Sequence, residues 1–468
     1  MITVGAIFGK TPEISIWGQQ SSRNNVIDNA SHLPTDCQPG KFDRKTGKWL
    51  HDEKSKKIKW AAELGNTTYG SPVCAGGKVF CTTNNAAGYD PNYPKSVDLG
   101  CLLAFDTKNG NFLWQYSVEK LENDGIDWPE QGICSNPVVE NSKLWIVNNR
   151  GEVVCLDTEK GNVIWKFDMI TELGVVPRQM TCCSPLIVGT YVITGTSNGK
   201  DAQGKTVPHP NAPDIIALDK VTGKLLWQDT PCGKNILDGQ WASPAVGTKE
   251  EQSYLYYPGG DGWLYAYKIK EQSHPPLVFQ WKFNCNPEGT VWRGGQGTKN
   301  ILVATPVISR DKIYIATGQS PESGDGTAVL WALEQGEKAN AAWKYDGKVS
   351  GSNDFEEQFH RTIGAVVEYE NLLLVGDFAG LVHCLNAETG EFHWCYDMMA
   401  PIWGSPLAAD GKFYLGDSDG DLVIFQASDK LSVLAEVNWG DAIYTVPTFY
   451  GTILYVTTNH YLFALGEE

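Results

Sequence analysis

No run of about 18 consecutive apolar residues occurs in the chain, so no helical membrane span is predicted. Basic charge is scarce. Against 55 Asp and Glu stand 38 Lys and Arg, a net charge of −17. Nucleic-acid binding needs a basic face that releases counterions, and this balance excludes it as a primary role. It also disfavours anionic membrane surfaces. No Cys-x-x-Cys-His is present, which excludes covalent c-type haem, and the twelve Cys show no zinc-finger spacing. Residues 1–9 are too short and lack the basic start of an export signal. The compartment therefore stays open between periplasmic or exported and cytoplasmic. Helix-period patterns are nearly missing; Val118–Asp124 and Met169–Leu173 are the two short candidates.

What is abundant points one way. There are 49 Gly and 17 Trp, and both recur in a fixed phrase. The clearest copy is residues 100–117, where the apolar run Leu102–Phe105 ends at Asp106, a polar turn closes at Gly110, and a second apolar run carries Trp114. This reads as strand, turn, strand, with Asp bonding its own backbone and Gly accepting positive φ. The phrase returns with Asp157, Gly161 and Trp165, with Asp219, Gly223 and Trp227, and with Asn386, Gly390 and Trp394.

A second mark opens the innermost strand of most units, usually a small residue before Pro. It is seen at Ser71, Asn136, Ser184, Ser243, Thr305, Ser405 and Val446, with Gly364-Ala365 at the remaining place. Pro is tolerated there because its missing N–H lies outside the ladder. The Trp position is filled at residues 60, 114, 165, 227, 281, 343 and 394, and by Ala435 in the weakest copy. The spacing averages about 54 residues, longer than a bare blade, with insertions at 86–99, 199–213, 284–300 and 346–361.

These features predict an all-β fold, a single eight-bladed propeller of four-stranded antiparallel blades over residues 57–468. Residues 1–56, which carry no repeat, are expected to form an irregular arm packed on the ring. The strand at 57–64 matches only the Trp-bearing strand, while the chain's end supplies three strands and stops. Pairing the two would close the ring and protect its edges.

The phrase resembles the PQQ-type β-propeller repeat of quinoprotein alcohol dehydrogenases and of the propeller lipoprotein of outer-membrane protein assembly. Ala217-Leu-Asp-Lys-Val-Thr-Gly-Lys-Leu-Leu-Trp227 matches its pattern throughout. The resemblance covers about residues 57–468 and is specific for the fold rather than the chemistry, because one repeat serves dehydrogenases and assembly scaffolds alike.

In a propeller, the loops entering the innermost strands meet at one mouth of the central channel. The candidate ligand site there comprises Trp128, Arg178, Cys182, Cys183, Asp238, Trp241, Lys299, His360, Arg361 and Trp403, with Glu130 nearby. Aromatic faces with a few cations suit a flat or anionic ligand. Equally, Trp241 and Trp403 would plug the channel and Arg361 would pair with a Glu. The resemblance implies that Cys182-Cys183 forms a vicinal disulfide over a quinone, against the alternative of two free thiols. The dehydrogenases' catalytic Asp and Ca²⁺ ligands are not identifiable. The stretch from Asp417 to Asp421 lacks the later ligands of a Ca²⁺ loop and reads as a strand turn. The expectation is a monomeric, non-catalytic propeller that binds a protein partner or a small ligand, with no nucleic acid. The alternative is a PQQ-dependent oxidoreductase, with Ca²⁺, acting on alcohols or sugars.

Overall fold

The computed structural model describes residues 14–28, 30–43, 45–46, 48–270 and 273–467. Eight blades surround one channel. Blade 3 is typical: Leu186–Val188, Tyr191–Gly195, Ile215–Asp219 and Leu225–Asp229 pair in sequence order, all antiparallel. In the last blade, Thr448–Tyr450, Ile453–Thr457 and Tyr461–Leu465 take their outermost strand from Ile58–Glu63, with Leu462 opposite Ala62. The expected closure is therefore present.

The repeated phrase has a direct physical basis. Asp106, Asp157, Asp219 and Asn386 each accept backbone N–H groups of their own turn through Oδ1. The following Gly sits at φ of +71° to +74°, a region other residues seldom adopt. It is also where the previous blade's indole lands. A Cβ on Gly161 would lie 2.5 Å from Trp114, and one on Gly223 the same distance from Trp165. The indole N–H then donates to a carbonyl of that neighbouring blade, as from Trp60 to Thr107 at 3.0 Å and from Trp343 to Ala387 at 3.1 Å. The Trp–Gly phrase is thus a lock between adjacent blades.

The residue before Pro forms a second lock. Its N–H donates to the side-chain oxygen of its counterpart one blade on: Ser71 to Asn136, Asn136 to Ser184, Ser184 to Ser243, and Ser243 to Thr305. The relay resumes from Ala365 to Ser405 and from Val446 to Ser71. Ala365 and Val446 have no oxygen to offer, and the relay breaks there. This sets the register of blade 6 one residue later than Gly364-Ala365, with Val366 in the Pro place.

Among the described residues one short α-helix occurs, at Met169–Leu173, capped by Asp168 and ended by Gly174 in the left-handed region. The second helical candidate, Val118–Asp124, is instead the end of the strand Phe112–Glu119 and a turn. There Gly100 and Val118 pair across the blade, so the ladder overrides local preference.

The first described residues enter the ring. Ile14–Ile16 adds an edge strand inside blade 2, against Val138–Glu140. The chain then crosses the channel. Ser21 and Ser22 carbonyls accept from Val246 and Ile308 of blades 4 and 5, and Val26–Ile27 runs parallel to Leu407–Ala409 of blade 7. Later residues return outside, where the hairpin of Lys41–Phe42 and Trp49–Leu50 packs on blade 8 through Trp49 and Phe463.

Candidate functional site

The crossing segment is held by Arg23, which is 1 % exposed. Its guanidinium donates to the carbonyls of Trp17, Ser184, Pro185 and Pro244 and lies 5.0 Å from the Trp17 ring centroid. Burial lowers its pKa to about 9, with the neighbouring Cys183 opposing the shift. Asn24 donates to the Glu368 carbonyl of blade 6, and Asn25 to the Pro406 and Pro447 carbonyls of blades 7 and 8. Except for the bond to Trp17, these bonds satisfy carbonyls at the channel-facing edges of the blades.

Above this crossing lies a cup of about 350 Å³ at the channel mouth. Trp17 forms part of its lining, with the pre-Pro ring around it. The walls are aromatic. Tyr69 stacks against Trp403 at 5.9 Å and against Tyr444 at 5.5 Å, and Trp403 and Tyr444 are 4.8 Å apart. Trp128 and Trp241 stand elsewhere on the wall. Burial raises the pKa of the Tyr69 and Tyr444 phenols, so both stay neutral and able to donate.

Of the sequence-predicted site residues, Trp128, Cys182, Trp241 and Trp403 line the cup. The cations do not join them. Arg178 pairs with Asp238 at 3.0 Å and donates to the Asp201 and Ala202 carbonyls of the insertion beyond. Its contribution to the mouth is its own carbonyl, which accepts the Trp241 indole N–H. Arg361 donates to Asn300 Oδ1 and to the Ser323 and Gly297 carbonyls. His360, 1 % exposed, lies between the Asp325 and Phe355 carbonyls. The expected convergence of Trp241 and Trp403 with Arg178, His360 and Arg361 is therefore corrected. These three side chains instead tie down insertions whose carbonyls have no ladder partner. Lys299 lines a separate cleft described below.

Cys182 and Cys183 are both free thiols, and they serve different neighbours. Cys183 is buried and accepts the Gly195 N–H at 3.0 Å. The Cys182 thiol faces the cup beside Cys134, whose hydrogen bond, together with burial, raises its pKa well above that of an ordinary thiol. Trp17, Tyr69, Tyr444 and Cys134 were not singled out from sequence. Tyr69 and Tyr444 end two of the mouth loops and were within reach of the loop rule. The sign for Trp17 was weaker: a Trp in a segment with no repeat position for it to fill.

A family model described as outer membrane protein assembly factor BamB matches residues 98–271 and 339–433, more than half of the chain. The outer membrane protein assembly factor BamB of Shewanella oneidensis is 22% identical over 353 residues, spanning 69% of this chain and 78% of that protein. A polyvinylalcohol dehydrogenase of Sphingopyxis sp. is 22% identical over 417 residues, spanning 85% of this chain; the chain covers only 55% of that protein's length. Among solved structures, quinohemoprotein alcohol dehydrogenase from Comamonas testosteroni aligns with a TM-score of 0.66 at 12% identity, covering 97% of this chain and 81% of that one. BamB from Moraxella catarrhalis aligns at 0.57 and 16% identity, covering 87% and 96%. The chain belongs to the family that this model describes, a branch of the PQQ-like β-propellers.

Proposed function

We propose that this propeller is a non-catalytic binding protein whose channel-mouth cup takes a small, flat, neutral or cationic ligand. The observation that carries the reading is the wall of Tyr69, Trp403 and Tyr444 facing a cup in which, among the described residues, Glu322 is the sole charged side chain. Aromatic faces favour flat rings and cations, and a lone carboxylate does nothing to attract an anion. The anionic ligand expected from Arg178 and Arg361 is accordingly set aside. A protein partner inserting an aromatic or cationic side chain would use the same wall. The relatives named as outer membrane assembly factors support that version and a place at the cell envelope. Ten of the twelve thiols are buried, so export to an oxidising compartment would be tolerated.

The second reading, a PQQ-dependent oxidoreductase, rests on the dehydrogenase relatives. The residues present do not fit a quinone acid held with Ca²⁺. Among the described residues the cup offers no Lys, Arg or His to the acid groups, and no group of three His, Cys, Asp or Glu could hold a metal. The deciding experiment is a thermal-shift screen of flat heteroaromatics, neutral, cationic and anionic, repeated on Trp403→Ala. Stabilisation by neutral or cationic members, lost in the variant, supports binding in the cup. Steady dye reduction with PQQ, Ca²⁺ and an alcohol, abolished by Cys182→Ser, would overturn it.

A further inference from the structure

Outside the mouth, on a protein of net charge −17, one cleft is lined by five lysines. The cleft holds about 680 Å³ and lies between blades 3 and 4, walled by two of the insertions that the repeat does not need. Lys200 and Lys205 come from the first insertion, Lys299 from the second, Lys234 from the turn after blade 3, and Lys282 from the outer strand of blade 4. None of these five forms an ion pair with a carboxylate among the described residues, whereas lysines elsewhere do, such as Lys78 with Glu159 and Lys312 with Glu388. Lys282 rests its ammonium 4.7 Å from the Trp263 ring centroid, and Lys200 lies 5.6 Å from that of Trp292. An aromatic face is a weak substitute for an anion and leaves the charge available.

The acidic groups nearby are already engaged. Asp261, the one carboxylate lining the cleft among the described residues, is buried and accepts from the Tyr265 hydroxyl and the Trp263 N–H. Asp238 accepts the Lys200 N–H through its carbonyl at 3.0 Å, while its carboxylate, bound by Arg178, acts on the Lys200 ammonium through its field alone. Asp201 is held within its own loop by Thr206 and the Lys205 N–H. Five like charges drawn together on a protein of net −17 repel one another unless something neutralises them.

We propose that this cleft is a binding site for a small multivalent anion, a molecule carrying several phosphate or carboxylate groups. It is separate from the mouth cup, and its occupancy does not depend on what the cup binds. Flexible ammonium groups around a wide hollow suit spread charges rather than one planar carboxylate, for which Arg would be the better partner.

Calorimetric titration of the full chain with tripolyphosphate and, separately, with citrate tests this at low ionic strength. We expect saturable binding of at least one of them with a Kd below about 1 mM, weakened by added salt. The paired substitutions Lys205→Ala/Lys282→Ala and Lys234→Ala/Lys299→Ala should each weaken it at least about tenfold. The pair Lys108→Ala/Lys430→Ala, which removes the same charge from distant exposed positions, should leave it within about twofold. Preference for tripolyphosphate would assign phosphate and preference for citrate carboxylate. No saturable heat from either anion, or equal weakening by the distant pair, would overturn the proposal.

Discussion

Ser71 Oγ accepts the Val446 N–H at 3.0 Å, and this bond joins the first blade to the last. With the pairing of Ile58–Glu63 onto Tyr461–Leu465, it holds the seam of the ring. Deleting residues 1–64 removes a whole strand and the channel crossing together. The truncated chain should melt well below the parent, by more than about 5 °C. Ser71→Ala alone should cost about 1 kcal/mol in urea unfolding. A truncated chain melting within about a degree of the parent would refute the closure as a stabilising element.

The Trp–Gly lock predicts an asymmetry between glycines. Gly161 and Gly289 both have positive φ, +71° and +83°, but a Cβ would strike Trp114 at Gly161 and meet open space at Gly289. Gly289→Ala should therefore cost about 1 kcal/mol, the backbone term alone. Gly161→Ala should cost about 3 kcal/mol, since the indole must also shift. Equal losses in chemical denaturation would mean that the indole contact carries no energy.

Arg23 closes the channel with hydrogen bonds to four backbone carbonyls. Arg23→Met keeps the bulk and strands those acceptors, and should destabilise by about 3 kcal/mol. Arg23→Lys should rescue little, because one ammonium cannot span the set. Full recovery of the melting temperature by Lys would show that charge rather than the fork matters.

Asp417 gives a pH-dependent test. Its Oδ1 accepts two backbone N–H groups, while Oδ2 is buried without a partner among the described residues. Burial, then the neighbouring Asp421 and Asp419, raise its pKa to about 6. A carboxyl raised in the folded state adds stability below its ordinary pKa, and that contribution is lost as pH rises through about 6. Asp417→Asn has no such dependence. Relative to the parent, it should gain about 2 kcal/mol between pH ~4 and pH ~7, measured by urea unfolding at both. A difference unchanged across that range would sink the assignment.

The ring was legible because its rules are local and repeated. Asp106, Gly110 and Trp114 announce a turn, a left-handed residue and a dock, and the same three roles recur at fixed offsets. Even the odd strand at Trp60 declared its place by matching one position alone. The mouth was legible only as a set of loops. Sequence gives the loop but not the side on which a residue emerges, and the difference between Trp241 and Arg178 is one of direction. The bare carbonyls of the insertions, which draw in Arg178 and Arg361, leave no periodic trace. Nor did residues 14–27, whose partners lie in blades more than a hundred residues away.

The crossing at Trp17 and Arg23 turns a through-channel into a cul-de-sac. Among the described residues the crossing leaves the cup one doorway, and an occupant bars its successor. A newcomer cannot push from behind, so replacement must wait for departure. The rate at which a bound molecule is exchanged should therefore follow its own escape and ignore how much competitor waits outside.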